Sequence, residues 1–99
     1  MPLELRTSKQ AKADLVEIWQ YIAADNPLAA DKLLRGIGAA FAQAADYPDI
    51  GRRLPEIGPH VHAIVFRRYM IIYTVDEPAQ TVELTRVFHG ARRWQDMLS

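Results

Sequence analysis

The alternation of apolar and polar residues near the start of the chain predicts a short strand followed by an amphipathic helix. Leu3 and Leu5 alternate with charged neighbours, which is the period-two pattern of a half-buried strand. Thr7, with Gln10 three residues later, fits a capping box and marks the expected start of the helix. Apolar residues then recur at helical spacing on one face: Ala11, Leu15, Ile18, Trp19 and Ile22. We expect Trp19 on this face to be buried in the core.

A second helix is predicted to begin at Asn26-Pro27, because asparagine is a favoured N-cap and proline is favoured at the first helical position. Its apolar stripe comprises Ala30, Leu33, Leu34, Ile37, Phe41 and Ala44. Gly36 and Gly38 each weaken such a helix by ~1 kcal/mol relative to alanine. Close packing of the two helix backbones would offset that cost. Residues 8–46 are therefore expected to form an antiparallel helical hairpin.

The second half of the chain has the pattern of a loop followed by three strands. Residues 48–60 are dense in proline and glycine, which is typical of a loop. Residues 61–66, 69–75 and 81–88 are rich in β-branched and aromatic side chains, which favour strands. Arg67-Arg68 is too short for a crossover connection, so the first two of these strands should pair antiparallel.

These elements together predict one α+β domain over residues 1–99. We expect an N-terminal strand, an antiparallel two-helix hairpin and a three-stranded antiparallel meander, arranged as a two-layer fold. A chain of 99 residues suffices for a single hydrophobic core. Both parities of the first two meander strands are apolar, so the sheet face away from the helices is expected to meet a protein partner.

The composition narrows the possible chemistry. The chain has no cysteine, which excludes disulfides, a thiolate nucleophile and a cysteine-based zinc site. It has no Gly-rich phosphate loop, and its three histidines lack carboxylates at ligand spacing, so neither a cofactor nor a metal is expected. No apolar run approaches the ~20 residues that span a bilayer, and the N-terminus does not resemble a signal peptide. We therefore expect a cytoplasmic protein without a membrane partner.

The distribution of charge points to one end of the meander. The net charge is zero, whereas general nucleic-acid binders are strongly basic, so we expect no direct sequence-specific DNA binding by this chain. Every basic residue in the second half is arginine, whose planar guanidinium suits phosphate and carboxylate partners. Antiparallel connectivity brings the Arg67-Arg68 turn beside the end of the last strand. The candidate target-binding residues are Arg52, Arg53, Arg67, Arg68, Arg86, His89, Arg92, Arg93 and Trp94.

Two interpretations of this arginine-rich end remain open. RNA cleavage through the 2′-hydroxyl needs a base, a cation that stabilises the developing charge, and an acid for the leaving oxygen. Glu56 would be the base, Arg67 or Arg86 would stabilise the charge, and His89 is a candidate because histidine titrates in the useful range. In the other interpretation the arginines form a solvated basic rim, and His89 is a strand-end residue bonded to the backbone.

Several segments carry a further resemblance. Residues 13–23 contain Trp19-Gln20-Tyr21-Ile22, and they are followed in order by the Asn26-Pro27 break and by residues 47–52, 68–73 and 86–93. Together these segments resemble the ParE-like branch of the RelE/ParE toxin superfamily, the toxic halves of type II toxin–antitoxin pairs. The resemblance covers residues 3–93 and implies the α+β fold derived above. It also implies a cognate antitoxin whose C-terminal segment wraps the toxin and neutralises it.

The resemblance implies two alternative targets. ParE-like toxins poison DNA gyrase, whereas RelE-like toxins cut mRNA on the ribosome. RelE-like enzymes are usually strongly basic and carry a tyrosine near the C-terminus, but this chain has zero net charge, no lysine after Lys32 and no tyrosine after Tyr73. Gyrase inhibition without a catalytic residue is therefore the preferred function. The alternatives are a ribosome-dependent endoribonuclease that uses Glu56, Arg67 and His89, or a detoxified member that acts as a binding module or co-repressor.

Overall fold

The computed structural model describes residues 2–90 as two helices packed on one face of a five-stranded sheet. The elements are β1 (Glu4–Thr7), α1 (Lys9–Ala23), α2 (Pro27–Asp46), β2 (Arg52–Arg53), β3 (Val61–Phe66), β4 (Tyr69–Asp76) and β5 (Thr81–His89). The strand order is β1-β5-β4-β3-β2, in which β1 runs parallel to β5 and all other neighbours are antiparallel. The predicted strand, helical hairpin and meander are confirmed, and β2 is a short addition inside the predicted loop.

The start of α1 lies one residue later than the capping-box pattern predicted. Thr7 still belongs to β1, where it pairs with Leu84, so it is not available as a helix cap. Ser8 is the N-cap instead, because its Oγ accepts a hydrogen bond from the Ala11 backbone N–H at 3.0 Å. The same hydroxyl donates to the Thr85 carbonyl at 2.8 Å. Ser8 therefore fastens the helix start directly to β5.

The main core lies between the helices and the sheet. The side chains that α2 contributes are Leu33, Ile37, Phe41 and Ala44, and those from β4 and β5 are Ile71, Tyr73, Val75, Val82, Leu84 and Val87. Of the other stripe residues of α2, Ala30 is buried and Leu34 is half-buried. Burying a large apolar side chain contributes about 1.5–3 kcal/mol. The prediction for Trp19 was wrong, because its side chain is 36% exposed and its indole N–H donates to Asp31 Oδ1 at 2.8 Å. An indole N–H needs a partner, and Trp19 finds one across the hairpin on α2.

The two glycines of α2 have different surroundings. The Phe66 ring at the end of β3 lies directly against Gly36, so a Cβ at that position would overlap it. Around Gly38 no atom lies within 4 Å of the position that a Cβ would take. The predicted close approach of the two helix backbones at these glycines was therefore wrong. The close contact at Gly36 joins the helix layer to the sheet.

The second sheet face has its own small core. Leu54, Ala63, Ile72 and Phe88 are buried there, and Ile57, Val61 and Met70 pack against them. The loop after β2 folds over this face, held by a hydrogen bond from the Leu54 N–H to the Val61 carbonyl at 2.9 Å. The apolar side chains on the sheet face away from the helices are thus covered by a loop of the same chain. On β3 the remaining exposed apolar side chain is Val65, which is 69% exposed.

Neither of the helices within residues 2–90 is long and apolar enough to cross a membrane.

Candidate functional site

The hairpin-end cluster, which we define as Arg67, Arg68, Arg86 and His89, lies where β3, β4 and β5 meet at one end of the sheet. Phe66 pairs with Tyr69, which leaves Arg67-Arg68 as a two-residue turn. Tyr69 in turn pairs with His89, and the Gly90 N–H donates to the Arg68 carbonyl. The backbone proximity expected from the antiparallel connectivity is observed.

Arg67 adopts a strained backbone conformation. Its φ is 55°, in the left-handed region that costs a side-chain-bearing residue roughly 1–2 kcal/mol. Glycine or asparagine would occupy this turn position more easily. The guanidinium carbon lies 5.5 Å from the centroid of the Phe66 ring, at cation–π distance, and the residue is exposed. The turn therefore presents an arginine to solvent where the backbone would favour a smaller residue.

The side chain of Arg86 is held within the protein by a carboxylate. Its Nε donates to Asp14 Oδ2 at 2.8 Å, and a terminal nitrogen donates to Asp14 Oδ1 at 3.0 Å, which is the bidentate geometry of a strong ion pair. The hydrogen bond to Asp14 raises the pKa of the Arg86 guanidinium above its ordinary value. The guanidinium carbon also lies 4.5 Å from the centroid of the Phe88 ring. Within the cluster, Arg86 is thus anchored from two sides.

Asp14 has a second role at the edge of the sheet. β1 pairs with β5 only as far as Leu84, and a bulge in β5 separates Leu84 from Arg86. Beyond that point no strand from residues 2–90 lies on the outer side of β5. Asp14 Oδ2 accepts the hydrogen bond of the Val87 backbone N–H there, at 2.9 Å. The carboxylate thereby replaces a strand neighbour and satisfies an edge amide.

His89 borders a groove between α1 and the end of β5. The groove has a volume of about 340 Å³ and is lined by Asp14, Glu17, Ile18, Tyr21, Tyr69, Val87, Phe88 and His89. The Tyr69 and His89 rings meet edge to face, with their centroids 5.3 Å apart. The lining includes two carboxylates, of which that of Asp14 is paired with the Arg86 guanidinium.

Glu56 does not join the other two residues of the predicted nuclease trio. It lies in the loop that connects β2 to β3, and the Leu54 N–H bonds to the Val61 carbonyl at the start of β3. Arg67 follows Phe66 at the opposite end of that strand. Five residue steps along a strand span roughly 16 Å. The structure therefore brings Arg67 near His89 but leaves Glu56 at the other end of the sheet.

Arg52 and Arg53 form the outer edge strand, where they pair with Ala63 and His62 and are exposed to solvent. They lie beside the first half of β3 rather than at its hairpin end. Arg92, Arg93 and Trp94, the remaining candidates, lie outside the described residues.

A buried tyrosine holds the loop that leads to the edge strand. The Tyr73 hydroxyl donates to the Pro48 carbonyl at 2.7 Å and accepts from the Gly51 N–H at 2.9 Å. Burial raises the pKa of the Tyr73 hydroxyl above its ordinary value, the charge of Asp49 acts in the same direction, and the Gly51 hydrogen bond opposes both. His62 stacks on the Tyr73 ring with centroids 5.2 Å apart. This packing fixes the position from which Arg52 emerges.

The Nε2 atom of the buried His62 side chain lies close to Asp49 without forming a hydrogen bond to it, while Nδ1 lies 3.3 Å from the His60 carbonyl. Its Nε2 is 3.4 Å from Asp49 Oδ1, within ion-pair distance, but the geometry does not satisfy a hydrogen bond. Because Asp49 is 94% exposed at its side chain, its charge is well screened and the contact is weak. Within residues 2–90, no three histidine, aspartate or glutamate side chains are grouped so as to hold a metal ion.

Asp14 is the functional-site residue that pattern reasoning missed. It lies three residues after Ala11 and four before Ile18, which places a carboxylate beside the buried stripe of an amphipathic helix. A charge at such a position signals a buried or half-buried partner. Its partner Arg86 is 72 residues away in the sequence, so the pattern alone could not identify it.

Comparison with known proteins identifies the family. The model of the ParE toxin of type II toxin–antitoxin systems, parDE, matches residues 5–94. The chain belongs to the ParE toxin family. A relative from Sinorhizobium fredii, the candidate toxin Y4kP, is 32% identical over 96 residues, which cover 95% of each chain. The chain is therefore a type II toxin of the RelE/ParE superfamily.

Two solved structures share the ParE toxin fold of this chain. A chain of a chromosomal ParDE system from P. aeruginosa superposes with a TM-score of 0.72 at 19% identity, over 88% of this chain and 95% of that one. A chain of the RelBE2 toxin–antitoxin complex from Mycobacterium tuberculosis superposes with a TM-score of 0.66 at 22% identity, over 93% and 95% of the two chains. The fold is thus common to chains of a ParDE system and of the RelBE2 complex.

Proposed function

We propose that this ParE-family toxin inhibits DNA gyrase through its hairpin-end cluster and the segment that follows it. The observation that carries the proposal is the exposed Arg67, which the chain keeps in a left-handed turn position despite the conformational cost. Strained residues concentrate at functional sites, since a smaller residue would be more stable there. Its neighbour Arg68 is exposed as well, so the turn presents two guanidinium groups for binding.

The arrangement supports binding rather than RNA cleavage. The carboxylate proposed as a base, Glu56, is separated from Arg67 by the length of β3. The carboxylates that share a groove with His89 are Asp14 and Glu17. Asp14 is committed to Arg86 and to the Val87 amide, so it is not free to act as a base. An mRNA endonuclease is therefore the less favoured function.

We propose a cognate antitoxin as the partner that neutralises the toxin. The ParDE and RelBE2 structures are toxin–antitoxin systems, which supports a partner of this class. The outer surface of the helical hairpin carries large apolar side chains in solvent, with Val16 55%, Tyr21 82% and Leu28 81% exposed. Exposed apolar surface of this kind is typical of a protein–protein interface. A segment that folds onto the hairpin would cover it.

The proposal is tested by gyrase supercoiling of relaxed plasmid in the presence of purified toxin. We expect Arg67→Gln to weaken inhibition by about tenfold, since loss of one charge-assisted contact costs ~1.5 kcal/mol. Arg6→Gln is the matched control, because Arg6 is exposed on β1 and pairs with Glu4 on the surface. Truncation after Gly90, which retains every described strand, should abolish inhibition.

Induced expression in bacteria tests the target in cells. DNA breaks and filamentation with continued translation are the expected result. If translation halts at once and transcripts are cut, and if His89→Ala abolishes both effects, the target is the ribosome and not gyrase. Unchanged growth together with unchanged supercoiling would leave the chain as a binding module.

A further inference from the structure

The Phe66 side chain lies between the helix layer and the Arg67 turn. Phe66 is the last residue of β3, and its half-buried ring packs against the main core. The far end of the ring, formed by Cζ and the two Cε atoms, lies beside the position that a Cβ at Gly36 would take. The guanidinium carbon of Arg67 lies 5.5 Å from the ring centroid, which is cation–π distance. One ring therefore contacts both α2 and the exposed arginine of the turn.

Gly36 makes this position of the ring possible. A glycine inside a helix is less favourable than an alanine, because it loses more backbone freedom on folding. Gly38, two residues later, has open space where its Cβ would stand. At Gly36 the corresponding space is taken by the Phe66 ring, which an alanine would displace. α2 thus fixes the position of the ring.

The Arg67 guanidinium is supported differently from that of Arg86, which Asp14 binds through two hydrogen bonds. Within residues 2–90, Arg67 forms no ion pair with a carboxylate, and its guanidinium lies over the ring of Phe66. An arginine side chain has many rotamers, so ordering it on binding costs entropy. A ring that already holds the guanidinium lowers this cost, because the charged group is in place before the target arrives.

We propose that Phe66 is the positioning residue of the hairpin-end cluster: its ring, held against Gly36, fixes the direction in which Arg67 presents its guanidinium. A planar guanidinium binds a carboxylate or a phosphate through two parallel hydrogen bonds, so its orientation decides whether both form. The effect on gyrase inhibition rests on the proposed function, whereas the placement of Arg67 does not. An exposed cation–π contact corresponds to a change in affinity of about two- to fivefold.

Supercoiling assays with matched glycine variants test the role of the ring. Gly36→Ala should displace the ring and weaken gyrase inhibition about two- to fivefold. Gly38→Ala is the matched control, because it makes the same change in the same helix without touching the ring, and it should leave inhibition unchanged. Phe66→Leu should weaken inhibition as much as Gly36→Ala, since leucine offers no aromatic face to Arg67. Undiminished inhibition by Gly36→Ala and Phe66→Leu would overturn the proposal.

A double variant separates positioning from stability. Leucine lacks the Cζ and Cε atoms that an alanine at residue 36 would meet. Gly36→Ala combined with Phe66→Leu should therefore melt at a higher temperature than Gly36→Ala alone, while its inhibition stays at the level of Phe66→Leu. If inhibition recovers together with the melting temperature, the ring serves packing alone and the proposal fails.

A double-mutant cycle tests whether Phe66 acts through Arg67. In the Arg67→Gln background, Phe66→Leu should cause almost no further loss of inhibition, because its effect passes through the guanidinium that is already absent. A further loss of about two- to fivefold in that background would show an independent effect of the ring and contradict the proposal.

NMR of the toxin alone tests the placement of Arg67 without gyrase. The side-chain protons of Arg67 should be shifted by the ring current of Phe66, and in Phe66→Leu they should return to the values of an unfolded peptide. Unfolded-peptide values in the wild-type protein would overturn the proposal. A wild-type toxin that leaves supercoiling unchanged but shows the Phe66-dependent shift would refute gyrase as the target and support the positioning of Arg67.

Discussion

Removal of the Asp14 carboxylate should destabilise the fold strongly, because this one group serves both an ion pair and the edge of the sheet. Asp14 accepts three hydrogen bonds, two from Arg86 at 2.8 and 3.0 Å and one from the Val87 amide at 2.9 Å. The two side chains are largely buried, with 13% of Asp14 and 17% of Arg86 exposed. Asp14→Ala would leave a guanidinium without its counter-charge and a backbone amide without an acceptor.

The magnitude follows from these two losses. A buried charge that loses its partner costs about 3–5 kcal/mol when fully desolvated, and partial exposure of Arg86 reduces this. An unsatisfied buried N–H costs about 1–3 kcal/mol. We expect Asp14→Ala to lower the free energy of unfolding by about 2–4 kcal/mol. Asp14→Asn keeps an acceptor for Val87, so its cost should be about half as large.

Urea denaturation followed by circular dichroism gives this free energy directly. A double-mutant cycle with Arg86→Ala should yield a coupling energy of about 1.5–3 kcal/mol between the two side chains. Glu4→Ala serves as the control, because the Glu4–Arg6 pair is exposed and should be worth less than ~0.5 kcal/mol. If Asp14→Ala lowers the free energy of unfolding by less than ~1 kcal/mol, or if the coupling energy is near zero, the stabilising role of Asp14 at the edge of β5 is refuted.

Three further predictions follow from the surroundings of single residues. Gly38→Ala should stabilise the protein by about 0.5–1 kcal/mol, because the site is open and helical. Gly51→Ala should destabilise it by about 1–3 kcal/mol, because a Cβ would lie 2.7 Å from the Tyr73 hydroxyl. Thermal unfolding measures both variants, and a lower melting temperature for Gly38→Ala than for Gly51→Ala would contradict this packing. The pKa of Tyr73 is raised in the folded state, so the tyrosine of the unfolded chain ionises first, near pH 10. Its contribution to the free energy of unfolding is therefore complete below pH 10 and is lost as the pH rises toward the folded pKa. Urea titrations across this range should show a shallower fall of that free energy with pH for Tyr73→Phe, and an equal fall in both proteins would contradict burial as the cause. Arg67→Gly should raise the free energy of unfolding by up to ~1 kcal/mol while weakening gyrase inhibition, and a variant that loses stability but keeps inhibition would show that the strained turn serves the fold.

The local signals in the sequence predicted the elements well, and their tertiary partners explain the exceptions. Asn26-Pro27 starts α2 as expected, because the N-cap side chain and the proline act within one turn of the helix. Thr7 was misplaced as a cap because its pairing with Leu84 in a parallel strand is a long-range contact. Trp19 has the helical spacing of a core residue, but its indole N–H donates to Asp31 on α2, so the ring lies on the outside of the hairpin.

The candidate site was predictable only as far as strand connectivity reaches. Antiparallel neighbours placed Arg67 beside His89, and the register bears this out. The position of Glu56 depends on the path of an irregular loop, which no periodic pattern encodes. The pairing of Asp14 with Arg86 depends on the end of β1 and on a bulge in β5, both of which are set by packing.

The parallel pairing of β1 with β5 also constrains how the toxin is made. Among residues 2–90 the strand neighbour of β1 is residues 81–84, so within this range β1 has no strand to pair with until β5 has been synthesised. Contacts between such distant residues form late, because the loop between them must first be closed. The growing polypeptide on the ribosome therefore has an incomplete sheet until β5 has emerged. Completion of the fold is coupled by topology to the synthesis of β5.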